Sequence, residues 1–200
     1  PGRRVHSPPM LENPPSPSSP IWIGDVHAAR REQESLAALV KLRDGYPKRL
    51  QTVAGFDVDR YAGHWYELAR IDHRFEKGLI NTSAHYSRNP DGSLKVVNRG
   101  YDPVRKDWKQ AEGKGLFTGE PTEAALKVSF FGPFYGGYNV VALDPDYQWA
   151  MVVGSNLGYL WILSRTPTLP TGVRSRLMAQ ARAMGVDVDK VLWVEHDPSV

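Results

Sequence analysis

The sequence contains no cysteine and no long apolar run. The absence of cysteine among its 200 residues excludes disulfide bonds, thiolate-ligated metals and thiol catalysis. No stretch reaches the ~20 consecutive apolar residues of a membrane-spanning helix. The first residues also lack the basic, apolar and small-residue order of a secretory signal. We therefore expect the chain as given to be soluble and to carry no address of its own, which would leave it in the cytoplasm.

An excess of charge of one sign is missing from the larger part of the chain. The formal net charge is +3, but residues 1–50 hold eight Lys or Arg against five Asp or Glu, and residues 51–200 hold seventeen of each. A nucleic-acid-binding domain needs a basic face that neutralises phosphates. The zero formal charge of residues 51–200 therefore predicts no nucleic-acid partner.

The common motifs of catalysis and metal binding are absent as well. The six histidines show no His-Glu-x-x-His spacing, and no Gly-x-Ser-x-Gly nucleophile turn or Gly-x-x-x-x-Gly-Lys phosphate loop occurs. We therefore predict no metal, no cofactor and no catalytic residue. Glu67 leaves two interpretations open: an acid–base role for a carboxylate that faces the cavity with a raised pKa, or a carboxylate bonded to Tyr or Arg neighbours.

The first 46 residues differ in composition from the rest. Residues 1–20 contain seven of the sixteen prolines together with four serines, a mixture that cannot bury enough apolar surface to order the chain. The apolar spacing over residues 25–43 predicts a short amphipathic helix. We therefore divide the chain into a disordered, partly helical extension at 1–46 and a folded domain at 47–200.

After Phe56 the chain consists of short runs rich in Val, Tyr, Phe and Trp, separated by turn residues about every ten positions. The pattern predicts strands at 64–71, 83–88, 94–101, 110–117, 125–131, 138–143, 149–154 and 159–165. No helical crossover interrupts them, so neighbouring strands should pair antiparallel. Eight such strands close naturally, because closure removes both exposed edges. The predicted fold is all-β, an eight-stranded antiparallel up-and-down β-barrel.

Three further elements complete this prediction. Residues 171–184 form one amphipathic helix, which we expect to flank the outside of the barrel. A last strand follows at 191–194. The glycine-rich segment 132–137 is predicted to be a loop at the barrel mouth.

Eight strands leave an interior just wide enough for side chains or for one small ligand. Alternation along the strands places Ala142 inward, together with a set of mostly aromatic and aliphatic side chains. That set, with two tyrosines near the wider end, is the predicted ligand-binding site: Leu126, Val128, Phe130, Tyr135, Tyr138, Val140, Tyr159 and Trp161. The alternative, that the same side chains only fill the barrel as its core, stays open.

Three short motifs in the right order resemble those of the lipocalins. Gly63-His64-Trp65-Tyr66 resembles the Gly-x-Trp-Tyr motif of the first strand, and Asp146-Tyr147 resembles the family's Thr-Asp-Tyr turn, with Pro145 in place of the threonine. Arg165 ends the eighth strand, where the family has an arginine. Longer segments such as 65–70 and 159–167 resemble the bacterial outer-membrane branch of the family, the Blc type.

The resemblance implies structural roles for Gly63, Trp65, Asp146, Tyr147 and Arg165. Trp65 should plug the narrow end of the barrel, and the Arg165 guanidinium should lie on its indole, a cation–π pair worth ~1–2 kcal/mol.

The same resemblance implies a non-catalytic protein that binds, stores or transports a fatty acid or lysophospholipid for membrane lipid maintenance. It further implies a homodimer, membrane association and a place in the periplasm or outer membrane, although this chain lacks the anchoring cysteine. A second hypothesis is a protein-interaction scaffold that recruits its partner through the extension at 1–46.

Overall fold

A computed structural model of the protein describes residues 50–131 and 134–200. The predicted extension at 1–46, with its helix at 25–43, lies outside the described residues. Within the described ranges no helix is long and apolar enough to cross a membrane.

The described chain is dominated by nine strands. They are β1 (Gly63–Ile71), β2 (Ile80–Arg88), β3 (Leu94–Asp102), β4 (Asp107–Phe117), β5 (Ala125–Phe131), β6 (Phe134–Leu143), β7 (Trp149–Val153), β8 (Leu160–Ser164) and β9 (Val191–Trp193). The helices are α1 (Val58–Tyr61) and α2 (Val173–Met184), with short 3-10 helices at Pro121–Glu123 and Val188–Lys190.

Strands β1 to β8 form a closed antiparallel barrel. Each strand pairs with the next one in the chain, and β8 pairs with β1, so that no edge remains among these eight. This confirms the predicted up-and-down barrel and its order. Strand β9 pairs antiparallel with the last residues of β1, from Ala69 to Ile71.

Three strands extend further toward the open end than the sequence predicts. Strand β2 begins at Ile80, β4 at Asp107 and β6 at Phe134, each at least three residues early. Polar residues and glycines at these ends hide the strand pattern, but the ladder with the neighbouring strand continues through them. Residues 134–137, predicted as loop, therefore belong to β6.

Two apolar clusters lie on the two sides of the barrel wall. The interior core comprises Phe56, Val58, Tyr61, Trp65, Ala84, Tyr86, Leu94, Val96, Ala124, Leu126, Val128, Val140, Tyr147, Ala150, Val152 and Leu163. The outer core comprises Leu68, Ala69, Ile71, Val141, Ala142, Trp149, Met151, Val153, Leu160, Ile162, Val173, Leu177, Ala181 and Val186. Helix α2 covers the outer core with one apolar stripe, as predicted.

A β-bulge in β6 corrects one inward assignment. The pairing of β6 with β7 shifts register between Val140 and Ala142, so Val141 and Ala142 both join the outer core. The prediction that Ala142 faces inward is therefore wrong, because strict alternation does not anticipate an extra residue. The Gln180 amide of α2 donates to the Val141 carbonyl at 3.0 Å, which satisfies a backbone group at the bulge.

A second bulge, in β1, turns a charged side chain into the barrel. The pairing of β1 with β8 shifts between Glu67 and Ala69, and Leu68 and Ala69 both join the outer core. Arg70 therefore follows Glu67 on the interior side, where the two side chains lie 3.1 Å apart. Without the bulge, alternation would direct Arg70 outward.

Candidate functional site

The closed end of the barrel is built around Trp65, which is completely buried. The Arg165 guanidinium lies over the Trp65 indole, with 3.8 Å between its Cζ and the ring centroid. The indole Nε1–H donates to the Tyr61 carbonyl at 2.7 Å, which fixes the orientation of the ring. The predicted stacking of these two side chains is thus present.

Arg165 also connects three segments through their backbone. Its guanidinium donates to the carbonyls of His64 at 2.8 Å, Arg60 at 2.8 Å, Tyr61 at 3.2 Å and Tyr147 at 3.2 Å. These segments are β1, α1 and the β6–β7 turn, so one side chain holds these three parts of the closed end together. A charge-assisted bond contributes about twice as much as a neutral one.

Of the remaining motif residues, Gly63 and Tyr147 contact the segments that Arg165 connects, whereas Asp146 does not. Gly63 has φ of +97°, and a Cβ there would come within 3.4 Å of the Arg165 guanidinium. The Tyr147 hydroxyl accepts from the Asp57 backbone N–H at 2.9 Å, which attaches the turn to the start of α1. Asp146 lies exposed in the turn, and its carbonyl accepts from the Gln148 side chain.

Above Trp65 the interior is tightly filled. A pocket on the β2–β5 side has a volume of about 10 Å³, room for a single water molecule. It is lined by Phe56, Tyr61, Tyr86, Leu94, Val96, Gly115, Leu126, Val128 and Tyr138. An acyl chain cannot enter this zone unless some of these side chains move.

Three tyrosines form a chain of hydroxyl groups across this filled zone. The Tyr61 and Tyr138 hydroxyl oxygens lie 2.6 Å apart, and the Tyr138 hydroxyl donates to that of Tyr86 at 2.7 Å. Burial raises the pKa of all three phenols, so they stay neutral and act only as hydrogen-bonding groups. The filled zone therefore contains hydroxyl groups but no charged group among these three tyrosines.

Nearer the open end lies a buried ion cluster centred on Arg70, whose side chain is 0% exposed. Its guanidinium is 3.1 Å from Glu67, 2.9 Å from Asp72 and 4.0 Å from Glu76. It also donates to the carbonyls of Glu76 and Leu79, at 2.9 and 3.2 Å. Arg70 thereby attaches the β1–β2 connection, which contains Glu76, to the upper part of the barrel.

The cluster holds more carboxylates than cations, and this excess affects the pKa values of its carboxyl groups. Burial raises the pKa of Glu67, although Arg70 opposes the shift. The pKa of Glu76 lies well above its ordinary range because of burial and because of the nearby charge of Glu67. Glu67 therefore bonds to an arginine, as the second interpretation predicts, and its pKa is raised as well.

The predicted ligand-contact residues fall into three groups. Leu126, Val128 and Val140 belong to the interior core. Phe130, Tyr138 and Trp161 pack against that core but remain half-buried. The Trp161 indole donates to Glu76 Oε2 at 3.3 Å and so connects the apolar wall with the ion cluster.

The two tyrosines predicted near the wider end lie apart from that set. Tyr159 stacks on His73 with 4.0 Å between ring centroids, which joins the β7–β8 connection to the β1–β2 connection at the mouth. Tyr135 lies 5.0 Å below the ammonium of Lys127, an exposed residue of β5. The structure therefore brings six of the eight predicted residues into the interior.

Sequence reasoning missed several interior residues. Tyr86 in β2 and Leu94 and Val96 in β3 follow the same alternation as the residues that were identified, so extending that test to every strand would have found them. Arg70 and Glu76 could not be found this way, because a bulge and an irregular connection place them. Among the residues that the structure describes, no group of three or more His, Cys, Asp or Glu could hold a metal ion.

Comparisons with known proteins agree with this architecture. Residues 56–196 match the family model described as Lipocalin-like domain. The chain is 56% identical over 153 residues to the outer membrane lipoprotein Blc of Escherichia coli K12, covering 76% of this chain and 86% of that protein. It is 44% identical to the protein of that name from Vibrio cholerae, covering 76% and 90%.

A comparison with solved structures supports the same fold. Insecticyanin from the tobacco hornworm Manduca sexta aligns with a TM-score of 0.63 at 18% identity, covering 78% of this chain and 89% of that one. The closed barrel, the Trp65–Arg165 pair and the sequence relatives together show that this chain belongs to the lipocalin family.

Proposed function

We propose that the chain binds one acyl chain, of a fatty acid or a lysophospholipid, in the upper half of its barrel. The observation that carries this proposal is the partial exposure of Phe130 and Trp161, which pack on the interior core and still contact solvent. A barrel filled only by its own side chains would bury such rings completely. An acyl chain lying along them would remove their remaining surface from water.

The register of β3 and β4 supports an open cup at this level. Asn98 and Ala111 are directly paired, and each shares its face with the inward Val96 and Gly113. Both are half-buried, whereas Leu94 and Gly115, further down the same strands, are buried. Asn98 and Ala111 therefore keep some exposed surface on the inward face, although Gly100, nearer the open end, is buried.

The free energy gained by burying an acyl chain in the barrel exceeds the free energy that binding costs. Burial of about fifteen methylenes at ~0.8 kcal/mol each contributes roughly 12 kcal/mol. Lost translational freedom and ordering oppose this by several kcal/mol. Micromolar or tighter affinity is therefore compatible with a wholly apolar interaction.

The proposed pose places the chain end deep and the polar head at the mouth. Leu126, Val128 and Val140 would contact the chain end after small movements of the tyrosines beside them. Tyr159 would lie beside the head group, with the Arg70 cluster close by. Tyr135 has the weakest support among the eight proposed contacts, because its ring lies against the exposed Lys127.

Native mass spectrometry of protein purified without organic extraction, followed by titration with a lysophospholipid, tests the proposal. We expect a co-purified acyl lipid and saturable binding that Trp161→Ala weakens by about tenfold or more. Trp193→Ala is the matched control, because its indole packs against the outer core, on the other side of the barrel wall. If the protein bound none of the fatty acids and lysophospholipids offered, the proposal would be overturned.

The same proposal includes a binding rather than a catalytic role, in storage or transport of lipid for membrane maintenance. The relatives are named outer membrane lipoproteins, which supports the periplasm or outer membrane as the place of action. A homodimer stays a prediction from the family resemblance. Recruitment of a protein partner by residues 1–46 also stays a prediction.

A further inference from the structure

The hairpin between β3 and β4 presents an exposed apolar side chain at the open end of the barrel. Val104, at its tip, is 89% exposed, the highest value among the large hydrophobic residues that the structure describes. The turn that carries it is closed by hydrogen bonds: Asp102 Oδ1 accepts from the backbone N–H groups of Val104 and Arg105, at 3.0 and 3.1 Å. These bonds favour the turn that places Val104 in solvent.

Two aromatic rings lie next to this tip, on the outer face of the same hairpin. Tyr101 and Trp108 are directly paired across β3 and β4, with 5.4 Å between ring centroids. Trp108 keeps 39% of its surface exposed, and the Arg99 guanidinium lies 4.0 Å above its indole. Tryptophan and tyrosine are the residues that concentrate at the boundary between lipid and water.

The charge around these groups is positive. Residues 99–109, which we name the mouth hairpin, contain four Lys or Arg and two Asp. Asp102 pairs with Lys109 at 3.1 Å, and within the described ranges no carboxylate lies within 4.0 Å of the exposed Arg105 or Lys106. Two cations next to an exposed valine thus remain available to a partner.

We propose that the mouth hairpin docks the open end of the barrel on an anionic lipid surface. Val104 enters the head-group region, Trp108 and Tyr101 lie at its boundary, and Arg105 and Lys106 contact lipid phosphates. Apolar insertion combined with basic side chains is the combination by which peripheral segments bind anionic membranes. The proposal goes beyond ligand binding, since docking requires no particular ligand.

A second copy of the chain fits this surface less well. A two-fold contact places the same patch against itself, so that Arg105 and Lys106 would face their own positive charge. A hairpin tip is also small beside the ~800 Å² that each partner buries in a stable interface. An anionic lipid surface meets the same side chains with charge of opposite sign.

Flotation of the full chain with vesicles tests the docking. Phosphatidylcholine vesicles with added phosphatidylglycerol should bind the protein, and the double variant Arg105→Gln/Lys106→Gln should bind about 30-fold more weakly. The variant Val104→Ser/Trp108→Ser should lose about tenfold. The control Arg88→Gln/Lys95→Gln removes the same charge near the closed end and should bind like the unsubstituted chain.

Three results would overturn the proposal. Equal binding of all variants would mean that basic residues elsewhere, such as those in residues 1–50, account for binding. An equal loss in the closed-end control would mean that net charge alone decides. If sedimentation showed that Val104→Ser/Trp108→Ser dissociates an oligomer while vesicle binding is unchanged, the patch would be a contact between copies.

Discussion

The two ends of the barrel are built in opposite ways. At the closed end, one guanidinium stacks on a fully buried indole and donates to four backbone carbonyls, and the side chains between them are apolar. At the open end, a buried arginine meets three carboxylates, and the aromatic rings below them stay half-buried. The first arrangement satisfies the Arg165 charge with backbone carbonyls, whereas the second leaves carboxylates in excess over cations.

This difference separates stability from binding. The contacts of Trp65 and Arg165 stay formed while a ligand enters or leaves at the other end. They therefore contribute to the free energy of unfolding and not to ligand exchange. By our proposal the open end admits the ligand, and its connections meet through a few ring and hydrogen-bond contacts, such as His73 with Tyr159. Substitutions at the closed end should therefore change mainly the free energy of unfolding, and substitutions at the open end should change mainly ligand affinity.

Replacement of the plug should have the largest effect on stability. Trp65→Ala removes a fully buried indole from close packing and leaves a cavity, so we expect a loss of ~3–5 kcal/mol in the free energy of unfolding. Urea denaturation measures this directly. Trp108→Ala, at a 39% exposed indole on the outer face, should cost less than ~1 kcal/mol. Equal losses in the two variants would show that Trp65 is not a structural plug.

Arg165→Lys should have the second-largest effect on stability, a loss of about 2–3 kcal/mol in the free energy of unfolding. Lysine keeps the charge but cannot reach four carbonyls in three segments at once. Arg174→Lys is a matched control, because the Arg174 guanidinium stacks on Trp193 at the same 3.8 Å and donates no hydrogen bond within the described part of the chain. A similar loss in both variants, measured by urea denaturation, would assign the effect of Arg165 to stacking alone.

Trp161→Ala should change stability less than Trp65→Ala and ligand affinity more. Its half-buried indole lies at the open cup, so the void left by the substitution merges with space that solvent already reaches. We expect a loss below ~3 kcal/mol by urea denaturation. If Trp161→Ala unfolds the protein as readily as Trp65→Ala and leaves lysophospholipid affinity unchanged, Trp161 belongs to the core and the ligand site lies elsewhere.

The sequence predicted the barrel because its signals are local and repeated. Short β-rich runs and turn residues establish eight strands, and the same alternation places Leu126, Val128 and Val140 inside. Alternation fails where the chain carries one extra residue: the bulge in β6 turns Ala142 outward, and the bulge in β1 turns Arg70 inward. No single-sequence pattern marks those positions.

The polar half of the site depends on contacts between distant segments. Glu76 lies in an irregular connection, and its partners Arg70 and Trp161 come from two different strands. Its burial and its pKa follow only once the connection is attached over the mouth. For the same reason, alternation predicted the apolar wall of the cup but not the ion cluster above it.

The last expected effect concerns Glu76 and appears only as a dependence on pH. Its pKa in the folded protein is raised well above that of an unfolded chain, ~4.3, by burial and by the charge of Glu67. The folded state therefore binds more protons than the unfolded state. The stability that protonated Glu76 contributes is complete below pH ~4.3 and is lost as the pH rises through the raised pKa.

Glu76→Gln keeps an oxygen acceptor for the Trp161 indole and cannot ionise. Relative to the unsubstituted chain, its free energy of unfolding should rise with pH, by at most ~1.4 kcal/mol per pH unit, the limit for one proton. Urea denaturation from pH ~4 to ~8 measures this difference, with the exposed Glu120→Gln as control. Parallel pH profiles for all three proteins would mean that Glu76 ionises as readily in the folded state as in the unfolded one. The open end would then tolerate its excess of carboxylates without cost, and the contrast with the closed end would rest on packing alone.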